Sequence, residues 1–454
     1  MYKIVLLNLP FTDTRVPSLA LTQLKYVLDE EFGKRVATNI WYLDHDFTHY
    51  LGPNLSQGII KSSYTHLATG LGDWFFRQTA FPSLPDNSAE YLHRFYPRLQ
   101  RKAPWFQQLL LEKRRGLEPF FDELIEKYHL DQADLVGFTS TFSQSLACIS
   151  LARKLKELRP DTVTVMGGAN CETPMGEEIV KNVKAIDFVF SGPALISFPQ
   201  FVEYRLEQDF ESCQSIPGVF SQANCLPVLE RIGARQGQIL SGPIRHQESG
   251  AGMTLPAQVG PGTIGKERDI NDTIELDYRS FLQSIRTHFP NKEVEPILLF
   301  ETSRGCWWGE RAHCTFCGMN SLGMNYRAMS PQNAITSLQS LFDYAEECSA
   351  FVSVDNILPR HYTQEVLPFL NTPSQASLFY EVKADLSEKD IRTLSQARVK
   401  TIQPGIEALA TSTLKLMKKG TTAFQNIRFL KHCVTYEIFP LWNLLVGFPG
   451  EKGV

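Results

Sequence analysis

Glu301-Thr-Ser-Arg-Gly-Cys306-Trp-Trp-Gly-Glu-Arg-Ala-His-Cys314-Thr-Phe-Cys317-Gly-Met-Asn320 gathers three of the chain's nine cysteines into twelve residues, spaced Cys-x7-Cys-x2-Cys. The run before it, Ile297-Leu298-Leu299-Phe300, is apolar and short enough to be a buried strand. Three thiolates at the mouth of a strand suit a four-iron cluster with one iron left free for a small molecule, whereas a closed cluster takes four. Thiolate softness fits zinc as well. A zinc site would draw on Cys306, Cys314, Cys317 and His313, but only one Cys-x2-Cys pair exists and His313 adjoins a ligand cysteine. Spacing alone leaves iron–sulfur, zinc and buried free thiols all open.

The surrounding chain narrows the class. Its 454 residues allow two or three domains, and 43% hydrophobic with 21% charged residues is ordinary for a globular protein. A formal charge of −4 gives no global attraction to nucleic acid or to an anionic membrane. No window reaches ~18 uninterrupted apolar residues, as a membrane span would. Met1-Tyr-Lys-Ile-Val-Leu-Leu-Asn8 lacks the basic and small-residue signals of a secretory leader. An odd number of cysteines, three of them clustered, argues for a reducing compartment. The expected location is the cytoplasm.

Residues 1–230 read as an α/β domain. Lys3–Leu9 and Ala37–Leu43 are expected strands around a helix from Ser18 to Leu28, and residues 51–130 an aromatic, helical insertion. The alternation then becomes clean: strands at Asp134–Thr139, Thr162–Met166 and Ala185–Phe190, with helices over Gln144–Leu158 and Met175–Asn182. Glycines close these strands at Gly167-Gly168 and Gly192. Such alternation predicts a parallel, doubly wound Rossmann-type sheet, with ligands at the carboxyl ends of its strands. Residues 231–290 are glycine-rich in part and read as a linker.

Residues 291–454 alternate again, with expected strands at Ile297–Thr302, Ala350–Val354, Leu378–Val382, Thr401–Gly405 and Pro440–Val446. This is a partial (β/α) barrel pattern, whose working residues sit at the C-terminal mouths of the strands. There lie the cysteines, Asp355-Asn356, Glu381, Lys383, Asp385, Gly405, Glu407 and Gly447–Gly450.

Glu301–Gly309, Cys314-x2-Cys317-Gly and Tyr326-Arg327-x-x-Ser330-Pro331 together resemble the radical S-adenosylmethionine (SAM) enzymes. Within these they resemble the cobalamin-dependent C-methyltransferases that mature ribosomally made peptides. Ile402–Glu407, Leu416–Thr422 and Trp442–Glu451 match the same subgroup. The resemblance implies that Cys306, Cys314 and Cys317 ligate a [4Fe–4S] cluster whose open iron chelates SAM, which is then cleaved to a 5′-deoxyadenosyl radical. It implies SAM contacts from Asp355, Asn356, Glu381, Lys383, Gly405 and Glu407, and shielding of the cluster by Trp307 and Trp308. Cobalamin is implied in the N-terminal domain, against Thr139, Ser140, Ser143, Gln144, Gly167, Gly168, Asn170 and Gly192. Two departures stand out. Asp44-His45 does not form the Asp-x-His-x-x-Gly signature of histidine-ligated cobalamin, and Gly192-Pro-Ala-Leu195 replaces the family's Gly-Glu-Gly-Glu.

The implied activity is C-methylation of an unactivated carbon in a precursor peptide, with a flavodoxin or ferredoxin as electron donor. A non-methylating rearrangement or cyclisation, and non-catalytic binding of cobalamin or peptide, are the alternatives. The family's barrel has six strands against five expected here. The barrel is therefore expected to be truncated after its fifth strand, whose Leu441, Leu444, Leu445 and Val446 would form an open apolar edge. Poor solubility or inactivity of the chain as written would follow.

Overall fold

Short β-branched and apolar runs, several of them ended by glycine, serine or proline, become the strands of two separate, mainly parallel sheets. The computed structural model describes residues 1–59, 67–225, 264–318 and 325–451. It divides into two units: Met1–Asp13 with Val27–Arg268, and Thr14–Tyr26 with Asp269–Val454.

The first unit holds β1 (Tyr2–Asn8), β2 (Val36–Tyr42), β3 (Leu135–Thr139), β4 (Val163–Gly167), β5 (Phe188–Phe190) and β6 (Val219–Ser221). Their order is β2-β1-β3-β4-β5-β6, parallel but for β6. The chain thus winds outward in both directions from β1, and the loops after β1 and β3 diverge at a topological switch point. β3 is buried along its whole length, as a central strand covered on both faces must be. The first predicted helix runs Leu19–Phe32, and those of the later alternation are Ser145–Leu158 and Met175–Asn182.

The insertion expected over residues 51–130 is a helical layer that begins slightly earlier. It comprises Leu43–Ile59, kinked at Gly52-Pro53, then Leu71–Ala80, Ser88–Phe95, Pro104–Arg115 and Leu117–Tyr128. Phe47, Phe75, Phe76 and Phe121 are fully buried in it, with Phe11 from the loop after β1 edge-on to Phe47 at 5.3 Å. Aromatic density, which spoils helical periodicity on paper, is the core of this layer.

The linker assignment needs correction at its C-terminal end. Residues 264–268 belong to the first unit, where Gly265 N–H donates to Ser191 O at 2.9 Å, and residues from 269 onward to the second, including a helix Arg279–His288. Residues 231–263 lie outside the described residues. Gly265 fits because a Cβ on it would lie 2.2 Å from Pro193 O. Here glycine permits close backbone approach rather than flexibility.

The second unit has five parallel strands in the order β13-β12-β11-β10-β7. They are β7 (Ile297–Phe300), β10 (Ala350–Ser353), β11 (Ser377–Val382), β12 (Val399–Pro404) and β13 (Phe439–Pro440). The fifth strand, expected over Pro440–Val446, pairs only at Phe439-Pro440, with one further bridge between Glu407 and Leu444. Leu444 and Val446 are exposed beside it. A short hairpin of β8 (Ser303–Arg304) and β9 (Arg327–Ala328) sits between β7 and β10 in sequence. Ser330 caps the helix Pro331–Leu341 through Asn333 N–H, with proline in the first turn, so the Ser-Pro of the sequence motif is a helix start. No helix among the described residues is long and apolar enough to cross a membrane.

Gly168 tests the glycine argument. Its φ is +106°, and a Cβ there would stand 2.5 Å from Ser140 O, whereas one on Gly167 would meet nothing nearer than 3.8 Å. Gly168→Ala should cost on the order of 2–3 kcal/mol in urea unfolding and Gly167→Ala less than about 1. Equal costs would mean that the close approach is not what selects glycine.

Candidate functional site

The cysteine-bearing segment leaves β7 through Thr302 and Ser303, both buried. Their N–H groups donate to Asp355 Oδ1 at 2.7 and 2.9 Å, and the Thr302 hydroxyl to Asp355 Oδ2. Gly305 follows with φ +75°, and its α-carbon faces Asn325 O so closely that a Cβ would be 2.6 Å away. Cys306 then caps the helix Trp307–Ala312, its sulfur accepting from Gly309 N–H at 3.3 Å. Burial raises the pKa of the Cys314 thiol. The Lys419 ammonium opposes that rise, and the nearby Cys317 and Cys306 thiols add to it. All three sulfurs are thus electrostatic neighbours on half-buried residues.

Among the described residues no three Cys, His, Asp or Glu side chains converge tightly enough to hold one metal ion. The corners of an iron–sulfur cluster take one thiolate each, so Cys306, Cys314 and Cys317 are the donor set such a cluster would use.

The segment is gripped from two sides. Trp307 Nε1–H donates to Leu358 O at 3.2 Å, and the Arg360 guanidinium lies 4.1 Å above its ring. Trp308 Nε1–H donates to Lys418 O at 3.1 Å, and Lys383 Nζ lies 4.3 Å from its ring centre. Gly420, at φ +68°, lets Trp308 in, since a Cβ there would stand 2.2 Å from the indole. Further on, Thr315 N–H donates to Met417 O and its hydroxyl to Leu416 O. The Leu416–Thr422 stretch is therefore the bed on which the cysteine loop lies.

The predicted site residues of this unit fall at the strand mouths, in different roles. Asp355 is 1% exposed and holds the root of the cysteine segment. Asn356 follows it, half-buried. Lys383 pairs with Asp385 at 3.1 Å. Gly405 has Lys419 Nζ against its α-carbon, and Lys419 reaches Glu407 at 3.4 Å. Asn426, fully buried, bonds the carbonyls of Ile406 and Ala408 and so sets this loop.

Glu381 is different. Buried residues alternate along β11, and Phe351, on the face shared with Leu378, meets Phe342 of the helix layer. Glu381 and its register partner Gln403 lie on the opposite face. Among the described residues its carboxylate has no hydrogen-bond or ion-pair partner. Burial, then the Glu407 and Asp355 carboxylates, push its pKa up to about 7.

In the first unit the predicted residues lie at the carboxyl ends of β3, β4 and β5, and those after β3 and β4 are tied to each other. Gln144 Nε2 donates to Asn8 Oδ1 and Leu9 O, joining the loops after β3 and β1, while its Oε1 accepts from Thr141 N–H. Asn170 Nδ2 reaches Ser140 Oγ, Phe142 O and Ser145 Oγ. Ser143 packs against Gly72 of the helical layer, and Thr139 is buried at the end of β3. Gly192 is covered by Ile264. Asp44, fully buried beside His45, accepts from Asn8 and Thr12. Phe142 stands out of these loops 75% exposed at φ +47°. Arg360, Lys419 and Thr315 were not among the expected site residues, because their roles depend on pairings between distant segments.

Residues 300–453 match the family described as the radical SAM superfamily. That stretch is a radical SAM domain. Such a domain implies a [4Fe–4S] cluster and SAM, and the three neighbouring thiols fit the cluster. A curated protein of Pyrococcus horikoshii, named Uncharacterized methyltransferase PH0819, is 22% identical over 340 residues, 72% of this chain and 63% of the relative. Solved structures of the cobalamin-dependent SAM radical enzyme OxsB are similar in fold. With aqua-cobalamin bound, the TM-score is 0.62 at 13% identity over 98% of this chain and 49% of that one. With SAM also bound, it is 0.61. The chain therefore spans about half of the solved structures' length and 63% of the curated relative's.

The raised Glu381 pKa gives a pH signature. A carboxyl whose folded pKa exceeds its unfolded value of about 4.3 contributes stability that is complete below that value and lost as pH rises through about 7. Glu381→Gln should therefore match the parent near pH 4 and exceed it at pH 8 by on the order of 1–3 kcal/mol. Equal melting curves at pH 8 would show the carboxylate to be well solvated.

Proposed function

We propose that the protein is a cobalamin-dependent radical SAM C-methyltransferase acting on an unactivated carbon of a ribosomally made precursor peptide. One observation carries the reading: a doubly wound sheet with a switch point between β1 and β3 and a three-cysteine radical SAM domain occur in one chain. The names of the relatives, a methyltransferase and a cobalamin-dependent SAM radical enzyme, support it, as does the subgroup resemblance of the Cys306–Pro331 segment.

Together the cofactors would supply one-electron cleavage of SAM and a transferable methyl group. Cys306, Cys314 and Cys317 hold the cluster, while Trp307 and Trp308 cover the loop that carries it. Glu381, unpaired on the face away from the helices, is available to a hydroxyl or ammonium group of SAM. Asp355 fixes the geometry from behind. In the first unit the backbone at Gly167 and the Phe142 ring offer surfaces to a flat macrocycle, while Ser140, Gln144 and Asn170 hold the loops rigid. An external one-electron donor of the flavodoxin or ferredoxin kind completes the cycle.

Anaerobic reconstitution should give about one four-iron cluster, and alanine at Cys306, Cys314 or Cys317 should abolish it. Stoichiometric zinc that iron and sulfide do not displace would count against the reading. Co-expressed with its precursor peptide and supplied with methyl-labelled SAM, the enzyme should transfer label and add one methylene of mass to the peptide. Turnover without label would instead favour rearrangement or cyclisation.

A further inference from the structure

The grip on the tryptophans has one carboxylate at its centre. Asp385 Oδ2 accepts from Lys383 Nζ at 3.1 Å and from Arg360 Nη2 at 2.8 Å. Each of those cations lies over one of the adjacent indoles, Lys383 over Trp308 and Arg360 over Trp307. The two rings meet edge-on, 6.3 Å apart. The result is a closed figure of one anion, two cations and two rings, and the rings belong to the turn between Cys306 and Cys314. We propose that Asp385 is the positioning residue of the cysteine loop, holding Lys383 and Arg360 on the tryptophans so that the three thiols keep their spacing.

Burial decides which arm matters more. The Lys383 side chain is 5% exposed and that of Arg360 59%. A cation–π contact is stronger when its cation is desolvated, so Lys383 on Trp308 is the stronger arm. A buried ammonium is costly without a counter-charge, and burial indeed lowers its pKa while Asp385 opposes the drop. Removing the Asp385 charge would therefore release Lys383 toward water and uncover Trp308. Lys383 is thus a strut of the cysteine loop, which adds to its expected place beside SAM.

The proposal rests on the cluster reading only for one of its two readouts. In the apo chain, Asp385→Asn should speed hydrogen exchange of residues 307–317 by about 10-fold, leaving strand β11 unchanged, and Asp385→Glu should restore protection. In the reconstituted enzyme, Asp385→Asn should hasten iron loss to a chelator by about 10- to 100-fold. If Asp385→Asn lowers protection throughout the unit, the double variant Arg360→Gln with Lys383→Gln decides, and should loosen 307–317 alone. Unchanged exchange there, or equal loosening everywhere in both variants, overturns the proposal. Faster local exchange in Asp385→Asn, together with a parent chain that never assembles a cluster, would uphold the clamp and sink the cluster reading.

Discussion

The Asp355 carboxylate, buried behind the end of β7, accepts the N–H groups of Thr302 and Ser303 and the Thr302 hydroxyl. Everything in the second unit that bears on chemistry is referenced to this anchor, because the cysteine segment begins three residues beyond it. Two effects oppose each other at the group. Three donors favour the anion, and removal from water disfavours it; removal wins, and the pKa rises to about 6. A second tie holds the same root: Tyr362 O–H donates to Thr302 O and Met329 O, linking it to the segment after β9. The exit direction of the loop is thus set by several buried bonds rather than by the loop's own sequence.

The first unit solves a like problem with neutral groups. Its switch point would open a crevice between the loops after β1 and β3, and Gln144 closes part of it by bonding both. Asn170 does the same between the loops after β3 and β4. With these amides occupied, Gly168 can hold its backbone against Ser140 O. A polar network in which each member is satisfied is rigid, and rigidity is what a rim needs if a large cofactor is to find it preformed.

Much of this was legible in the sequence. Strand β3 and the helix Met175–Asn182 emerge from period and punctuation, because local apolar patterning and tertiary burial demand the same residues there. The cysteine spacing pointed to a site in the second unit, and residues 300–453, which contain those cysteines, match the radical SAM superfamily. The failures share a cause. Gly265 looked like linker because a glycine chosen for close approach and one chosen for freedom are identical on paper. The run Pro440–Val446 looked like a full strand, yet only its start pairs, since apolar residues at a sheet edge carry no statement of pairing length. Arg360 carries no signal of its own, and Lys383 and Asp385 show in the sequence only as strand-mouth residues, for a cation finds its ring only after β11 and the cysteine loop have met.

What remains unpaired then carries the functional meaning. Beside the cysteine loop Asp385 is the counter-charge of Arg360 and Lys383, and Glu407 that of Lys419. Glu381 lies among these groups on the face away from the helices, with two carboxylates as electrostatic neighbours. A half-buried carboxylate in that position is costly to the fold, and packing alone would have favoured glutamine or an apolar residue. The first unit shows the same contrast in apolar form. Ser140, Gln144 and Asn170 are mutually engaged, while Phe142 is held out at a positive φ that a phenylalanine rarely adopts. Strain and unmet polarity both persist where the surrounding structure over-determines them. In each unit that place is the carboxyl end of the sheet, beside the loops held most firmly.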